Sequence, residues 1–110
     1  MASSSVGIDM IHIGPLEVDE AKLADICGRY RVRQLSLFGS AAREEMQAHS
    51  DVDVLVDFQP EAEIGLLEYA GLMLDLSELL RRKVDLVSRR ALKPLIRDSI
   101  LAEARLLYAA

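Results

Sequence analysis

Apolar positions along the chain switch between two periods. Leu23, Ile26, Cys27 and Tyr30 keep the three- and four-residue spacing of a helix face, which predicts a helix over 16–30. Asp19 and Glu20 near its start oppose the positive end of the helix dipole, and Gly28 suits its approach to termination. Gln34 to Phe38, with Leu35, Leu37 and Phe38 apolar, is a short run of the kind that forms a buried strand. It stops at Gly39-Ser40, and the strong helix formers from Ala41 to Met46 predict that this turn opens a helix. Asp51 to Phe58 then alternates, with Val52, Val54, Val56 and Phe58 on one face and Asp51, Asp53 and Asp57 on the other. Pro60, which lacks a ladder donor, closes that strand. Ile64 to Leu80 reads as a helix with more apolar positions than one stripe holds. Val84 to Val87 reads as a third strand, with Val84 and Leu86 on one side and Asp85 on the other. Pro94 suits the first turn of a last helix, whose stripe of Leu95, Ile96, Ile100, Leu101, Ala104 and Leu107 runs through the C-terminus.

These elements predict an α+β fold. A small mixed sheet of three or four strands is covered by helices on its apolar face, which leaves Asp51, Asp53 and Asp85 on the opposite, open side. With 110 residues the chain is expected to be one domain, over 15–110, after a flexible segment over 1–14. A hydrophobic share of 51% and a charged share of 28% fit an ordinary globular domain. A net charge of −5 argues against broad non-specific nucleic-acid binding, which needs many phosphate contacts from Lys and Arg. The single cysteine, Cys27, rules out an intramolecular disulfide and a Cys-rich zinc site, and fits a reducing cytoplasm. No apolar run is long enough to predict a membrane span, and Met1 to Gly14 lacks the pattern of a signal peptide.

Candidate chemistry is concentrated between Gln34 and Phe58. A strand that ends in Gly39-Ser40 and opens a helix presents backbone N–H groups, with the helix dipole behind them, to an anion such as phosphate. Ser40 adds a hydroxyl donor. Neighbouring side chains on one strand face lie about 6 to 7 Å apart, so Asp51 and Asp53 reach into one small volume, where two like charges need a cation. Their hard oxygens suit Mg²⁺, which takes one or two protein carboxylates and completes its shell with water and substrate phosphates. Singly, each piece is compatible with a structural turn and a solvated acidic face. Nine Asp in 110 residues produce about one Asp-x-Asp pair by chance. The ordered combination of strand, Gly-Ser, helix with Arg43, and Ser-Asp-x-Asp entering a second strand is what points to metal-assisted chemistry on a nucleotide.

That combination, carried by Gly39, Ser40, Arg43, Asp51 and Asp53, resembles the polymerase-beta-like nucleotidyltransferase superfamily. More narrowly the chain is similar to a minimal nucleotidyltransferase of the MntA-like antitoxin type, the partner of a HEPN-domain toxin. The likeness runs from about Leu16 to the C-terminus and includes the strand that bears Asp85 and the tail Leu92-Lys93-Pro94. It departs in one place, since a glycine often follows the arginine in the family and Glu44 does here. The resemblance implies that Asp51, Asp53 and Asp85 converge on the open side of the sheet as the catalytic and metal-holding acids. It also implies that Gly39 and Ser40 grip nucleotide phosphates, and that Arg43 binds phosphate or pairs with a helix carboxylate. The implied reaction is Mg²⁺-dependent transfer of AMP from ATP to a tyrosine of the partner toxin, which neutralises it. A binding-only antitoxin that masks the toxin through apolar helices is the competing reading. Without the resemblance, Asp85 would be a surface aspartate, Arg29, Arg31 and Arg33 a solvated turn, and Tyr30, Tyr69 and Tyr108 core or rim aromatics. His12 and His49 read as loop residues rather than as a catalytic or zinc pair.

Overall fold

The computed structural model of the chain describes residues 10–43 and 51–110. Four strands form the main sheet. These are β3 (Val32–Phe38), β4 (Val52–Phe58), β5 (Val84–Ser88) and β6 (Arg105–Ala109), in the order β5-β4-β3-β6. β3 runs antiparallel to β4 and β6, whereas β4 and β5 are parallel. A parallel pair needs a crossover, which here is α2 (Leu66–Leu80). Two short strands, β1 (Met10–Ile13) and β2 (Leu16–Asp19), pair as a separate hairpin, followed by α1 (Glu20–Arg29). A 3-10 turn, Arg89–Ala91, and α3 (Pro94–Glu103) lie between β5 and β6. The mixed sheet with α1 and α2 packed on one face is the α+β architecture predicted above, although α3 lies toward the other face.

α1 and α2 bury their stripes against that face. Leu23, Ile26 and Cys27 of α1 and Leu72, Leu76 and Leu80 of α2 join Leu35, Leu37, Val54, Val56, Val84 and Leu86 in one core. Across the helix pair, Tyr30 Oη donates to Asp75 at 2.8 Å and Arg29 bridges Asp25 and Asp75. Arg29 therefore ties the two helices together instead of sitting in a solvated turn. Cys27 is fully buried, and burial pushes its thiol up to about 12, so it packs as a small apolar residue. Among the described residues no helix is long and apolar enough to cross a membrane.

Two predicted elements need correction. The helix expected over 16–30 begins only at Glu20, because Leu16 and Val18 are buried and Glu17 is exposed, the period of a strand. Asp19 then caps the helix by accepting from the Lys22 N–H at 3.2 Å. Of the segment 1–14 expected to be flexible, 10–13 form β1 and Gly14 turns at φ +56; residues 1–9 lie outside the described residues. The last helix likewise stops at Glu103, and the residues expected to continue it pair as β6 along the free edge of β3. An uncovered edge leaves a row of backbone groups unpaired, and satisfying them outweighs the helix propensity of Leu and Ala.

β5 is an outer strand, and Tyr69 of α2 holds it by donating its hydroxyl to the Leu86 carbonyl at 2.6 Å. Tyr69→Phe is expected to lower stability by about 0.5 to 1.5 kcal/mol. Urea denaturation should show a lower midpoint with an unchanged slope.

Candidate active site

Register brings the key carboxylates together. In the parallel β4–β5 pair Asp53 lies directly opposite Asp85, and in the antiparallel β3–β4 pair it lies opposite Phe38, the residue before Gly39. The turn at the end of β3 therefore closes over Asp53. Gly39 has φ +66, a left-handed conformation that side chains rarely adopt, and a Cβ there would collide with Asp53 Oδ2 and lie 3.3 Å from its Cγ. Ala41, 1% exposed, anchors the turn in the core, while Ser40 stays half-buried beside it. The Arg43 N–H donates to the Gly39 carbonyl at 3.2 Å, the bond of a first helical turn. Of the helix expected from Ala41 to Met46, residues 41–43 form a turn, and the remainder, like His49, lies outside the described residues.

Arg43 reaches α3, where Nη1 donates to Glu103 Oε2 at 3.2 Å. Sequence reasoning allowed it a helix carboxylate without naming one. Glu103 belongs to a segment 60 residues away, so only folding shows the partner. Farther along β4, Asp57 pairs with Arg89 at 3.5 Å, a contact not foreseen. Leu55 and Leu101 share a groove of about 220 Å³ with that pair, so α3 walls part of the sheet face predicted to be open. His12 sits on β1, 3.9 Å from Glu17 across the hairpin.

The acids repel one another. Asp53 is half-buried, and Asp51 and Asp85 are exposed. Burial first, then the charges of Asp85 and Asp51, push the Asp53 carboxyl above the usual carboxylate range, and Arg43 offsets part of this. Among the described residues no group of three or more acidic, His or Cys side chains is arranged to hold a metal ion by itself, the trio Asp51, Asp53 and Asp85 included. Mutual repulsion and an open donor set together fit Mg²⁺, which needs few protein ligands when a triphosphate and water supply the rest. Burial, and then the Asp85 charge, also raise the Tyr69 phenol, so it stays protonated and serves as a donor.

The raised Asp53 value sets a pH dependence. Between the unfolded value of about 3.9 and the higher folded value, the native chain holds more protons than the unfolded one. Stability therefore falls as pH rises through that window, and the full cost persists above it. Asp53→Asn removes the cost. In the presence of a chelator at neutral pH the variant should melt at or above the wild-type temperature, and the gap should close as pH drops through the window. Thermal denaturation across a pH series checks this, and a variant that melts lower at neutral pH would contradict it.

Comparison with known proteins identifies the family. The family model described as Polymerase beta, Nucleotidyltransferase matches residues 21–110. A candidate protein adenylyltransferase of Methanocaldococcus jannaschii is 37% identical over 83 residues, covering 76% of this chain and 87% of that protein. The protein adenylyltransferase MntA of Thermococcus cleftensis is 43% identical over 75 residues, covering 68% and 74%. Among solved structures, a candidate minimal nucleotidyltransferase superposes with a TM-score of 0.68 at 42% identity, over 80% of this chain and 87% of that one. A toxin-antitoxin structure with AMP-PNP (TM-score 0.67, 20% identity, 83% and 73% covered) shares the fold. So does a Shewanella oneidensis complex of a tri-AMPylated HEPN toxin with its MNT antitoxin (TM-score 0.58, 19% identity, 83% and 70% covered). With a matching family model over 21–110 and relatives above 30% identity over most of its length, the chain belongs to the polymerase beta nucleotidyltransferase family.

Proposed function

We propose that the chain is an antitoxin that transfers AMP from ATP, with Mg²⁺, to a tyrosine of a partner HEPN-domain toxin and thereby neutralises it in the cytoplasm. The observation that carries this reading is the register of Asp53, which faces Asp85 across β4 and β5 and sits under the Cβ-free Gly39 turn. Relatives named as protein adenylyltransferases support it, as do fold neighbours with AMP-PNP and with an AMPylated HEPN toxin.

In this reading Asp51, Asp53 and Asp85 would hold Mg²⁺ together with the triphosphate, and the ion would supply neutralisation of phosphate charge and a lowered pKa for the attacking hydroxyl. Gly39 and the Ser40 hydroxyl bind the β- and γ-phosphates and leave the α-phosphate beside Asp53. Arg43 adds a cation at the same turn, where the triphosphate competes with Glu103 for its guanidinium. Asp85, which is exposed on an outer strand, would accept the acceptor's proton as its oxygen attacks the α-phosphate and pyrophosphate leaves. Positioning and charge neutralisation supply most of the acceleration.

The test is transfer of labelled AMP from ATP to the co-expressed HEPN-domain partner, with neutralisation of the partner's toxicity scored alongside. Asp53→Asn separates the two antitoxin classes: full neutralisation without transfer would favour a binding-only antitoxin. Ser40→Ala removes one hydrogen bond to a charged group, about 1.5 to 3 kcal/mol. Transfer should fall roughly tenfold to hundredfold, with circular dichroism unchanged. Wild-type transfer by that variant would leave the turn a purely structural role.

A further inference from the structure

Charge is unevenly spread along the chain. Between Arg81 and Arg97 there are seven basic residues and one acid, Asp85, a segment charge of +6 in a chain whose net charge is −5. The cations after β5 stand next to uncovered apolar side chains. Leu95, in the first turn of α3, is 96% exposed, Ile96 is 48% exposed, and α3 buries none of its residues. Immediately before them, Val87 and Ala91 line a groove with Leu66 and Tyr69, between the N-terminus of α2 and the end of β5. Leu66 and its neighbour Leu67 are 84% and 87% exposed.

Arg90, Lys93 and Arg97 have no carboxylate partner among the described residues, whereas Arg89 is held by Asp57. The first turn of α3 contains no acid and Lys93 sits at its N-cap, so these cations add to the positive end of the helix dipole. That arrangement costs the free chain stability, and an anionic partner would relieve it. Aliphatic residues interleave the cations, and a contiguous exposed apolar surface rimmed by charge marks a protein interface. Single-stranded nucleic acid calls instead for exposed aromatic rings on which bases stack.

We propose that this face, formed by the end of β5, the 3-10 turn and the first turn of α3, docks an acidic protein surface that carries apolar side chains. The docked surface belongs to the polypeptide that presents the acceptor hydroxyl, an assignment that rests on the function proposed above. Arg89 follows the last residue of β5, four residues and about 13 Å of extended strand from Asp85 near its start, so a partner that covers this face extends along β5 toward the proposed catalytic acids. It also solves an electrostatic problem, because Asp51, Asp53 and Asp85 repel an acidic acceptor and the adjoining cations offset that repulsion.

The experiment titrates the HEPN-domain partner of the proposed function with the wild type and with two surface variants. One is Arg90→Glu/Lys93→Glu/Arg97→Glu and the other is Leu95→Ser/Ile96→Ser. Binding of a non-hydrolysable ATP analogue with Mg²⁺ serves as the control. Each variant should weaken partner binding at least tenfold and leave analogue binding unchanged, and the wild-type Kd should rise with salt. In the transfer assay the loss should appear in KM for the partner at constant kcat. Binding within twofold of wild type in both variants overturns the proposal. So does a wild type that does not bind the partner, or a charge variant that loses only the capture of an RNA oligonucleotide. A wild type that binds the partner through this face without transferring label overturns the transfer reading and leaves the docking surface standing.

Discussion

Asp53→Asn is expected to abolish nucleotidyl transfer, with kcat down by at least about a thousandfold, while the sheet remains intact. The magnitude follows from losing several kcal/mol of charge stabilisation at about 1.4 kcal/mol per decade of rate. Asp53 is the acid around which the others are arranged, since Asp85 opposes it in register and Gly39 closes over it. Asn matches the shape of Asp, so the turn keeps its packing. Removing the charge removes a proposed metal ligand, and it also removes the cost that burial and the charges of Asp85 and Asp51 impose. The variant should therefore combine inactivity with undiminished metal-free stability. Single-turnover transfer of labelled AMP and thermal denaturation in chelator measure the two halves. Retained turnover would remove Asp53 from the catalytic machinery.

Gly39→Val should be the second most damaging change, and it should act through geometry. At φ +66 a β-branched residue is strained in the left-handed region. Its Cβ would also meet the Asp53 carboxylate, so the turn and the acid cannot both stay in place. Transfer should fall further than for Ser40→Ala, beyond a hundredfold. Nucleotide binding should weaken as well, because the added side chain fills the space the phosphates need. Stability should drop too, unlike in Asp53→Asn. Measuring Kd for a non-hydrolysable ATP analogue together with the melting temperature distinguishes the two variants. A Gly39→Val protein that binds and transfers normally would refute the cradle.

Much of the site was legible because its parts are local. Strand alternation alone put Asp53 and Asp85 on faces away from the core, and a glycine at the end of an apolar run marked the turn where the backbone becomes left-handed. The partners of those residues were not legible. Glu103 reaches Arg43 and Arg89 reaches Asp57 across long stretches of chain, and nothing in the spacing of either pair announces the contact. The β1–β2 hairpin was missed because Leu16 and Val18 directly precede a genuine helix face, and four residues are too few to establish a period against it.

The sequence by itself determined the pattern of buried faces, the two inner strands, the crossover helix and the strand faces that carry Asp53 and Asp85, since each depends on side-chain type within a few residues. Only the tertiary structure decided that β4 and β5 run parallel with Asp53 opposite Asp85, that the last five strand residues leave helix for the edge of β3, and that the first turn of α3 leaves Leu95 and Ile96 uncovered. Those outcomes depend on which distant backbone groups and surfaces are available to be satisfied. Local propensity, worth a fraction of a kcal/mol per residue, yields wherever a strand edge or a core face offers more.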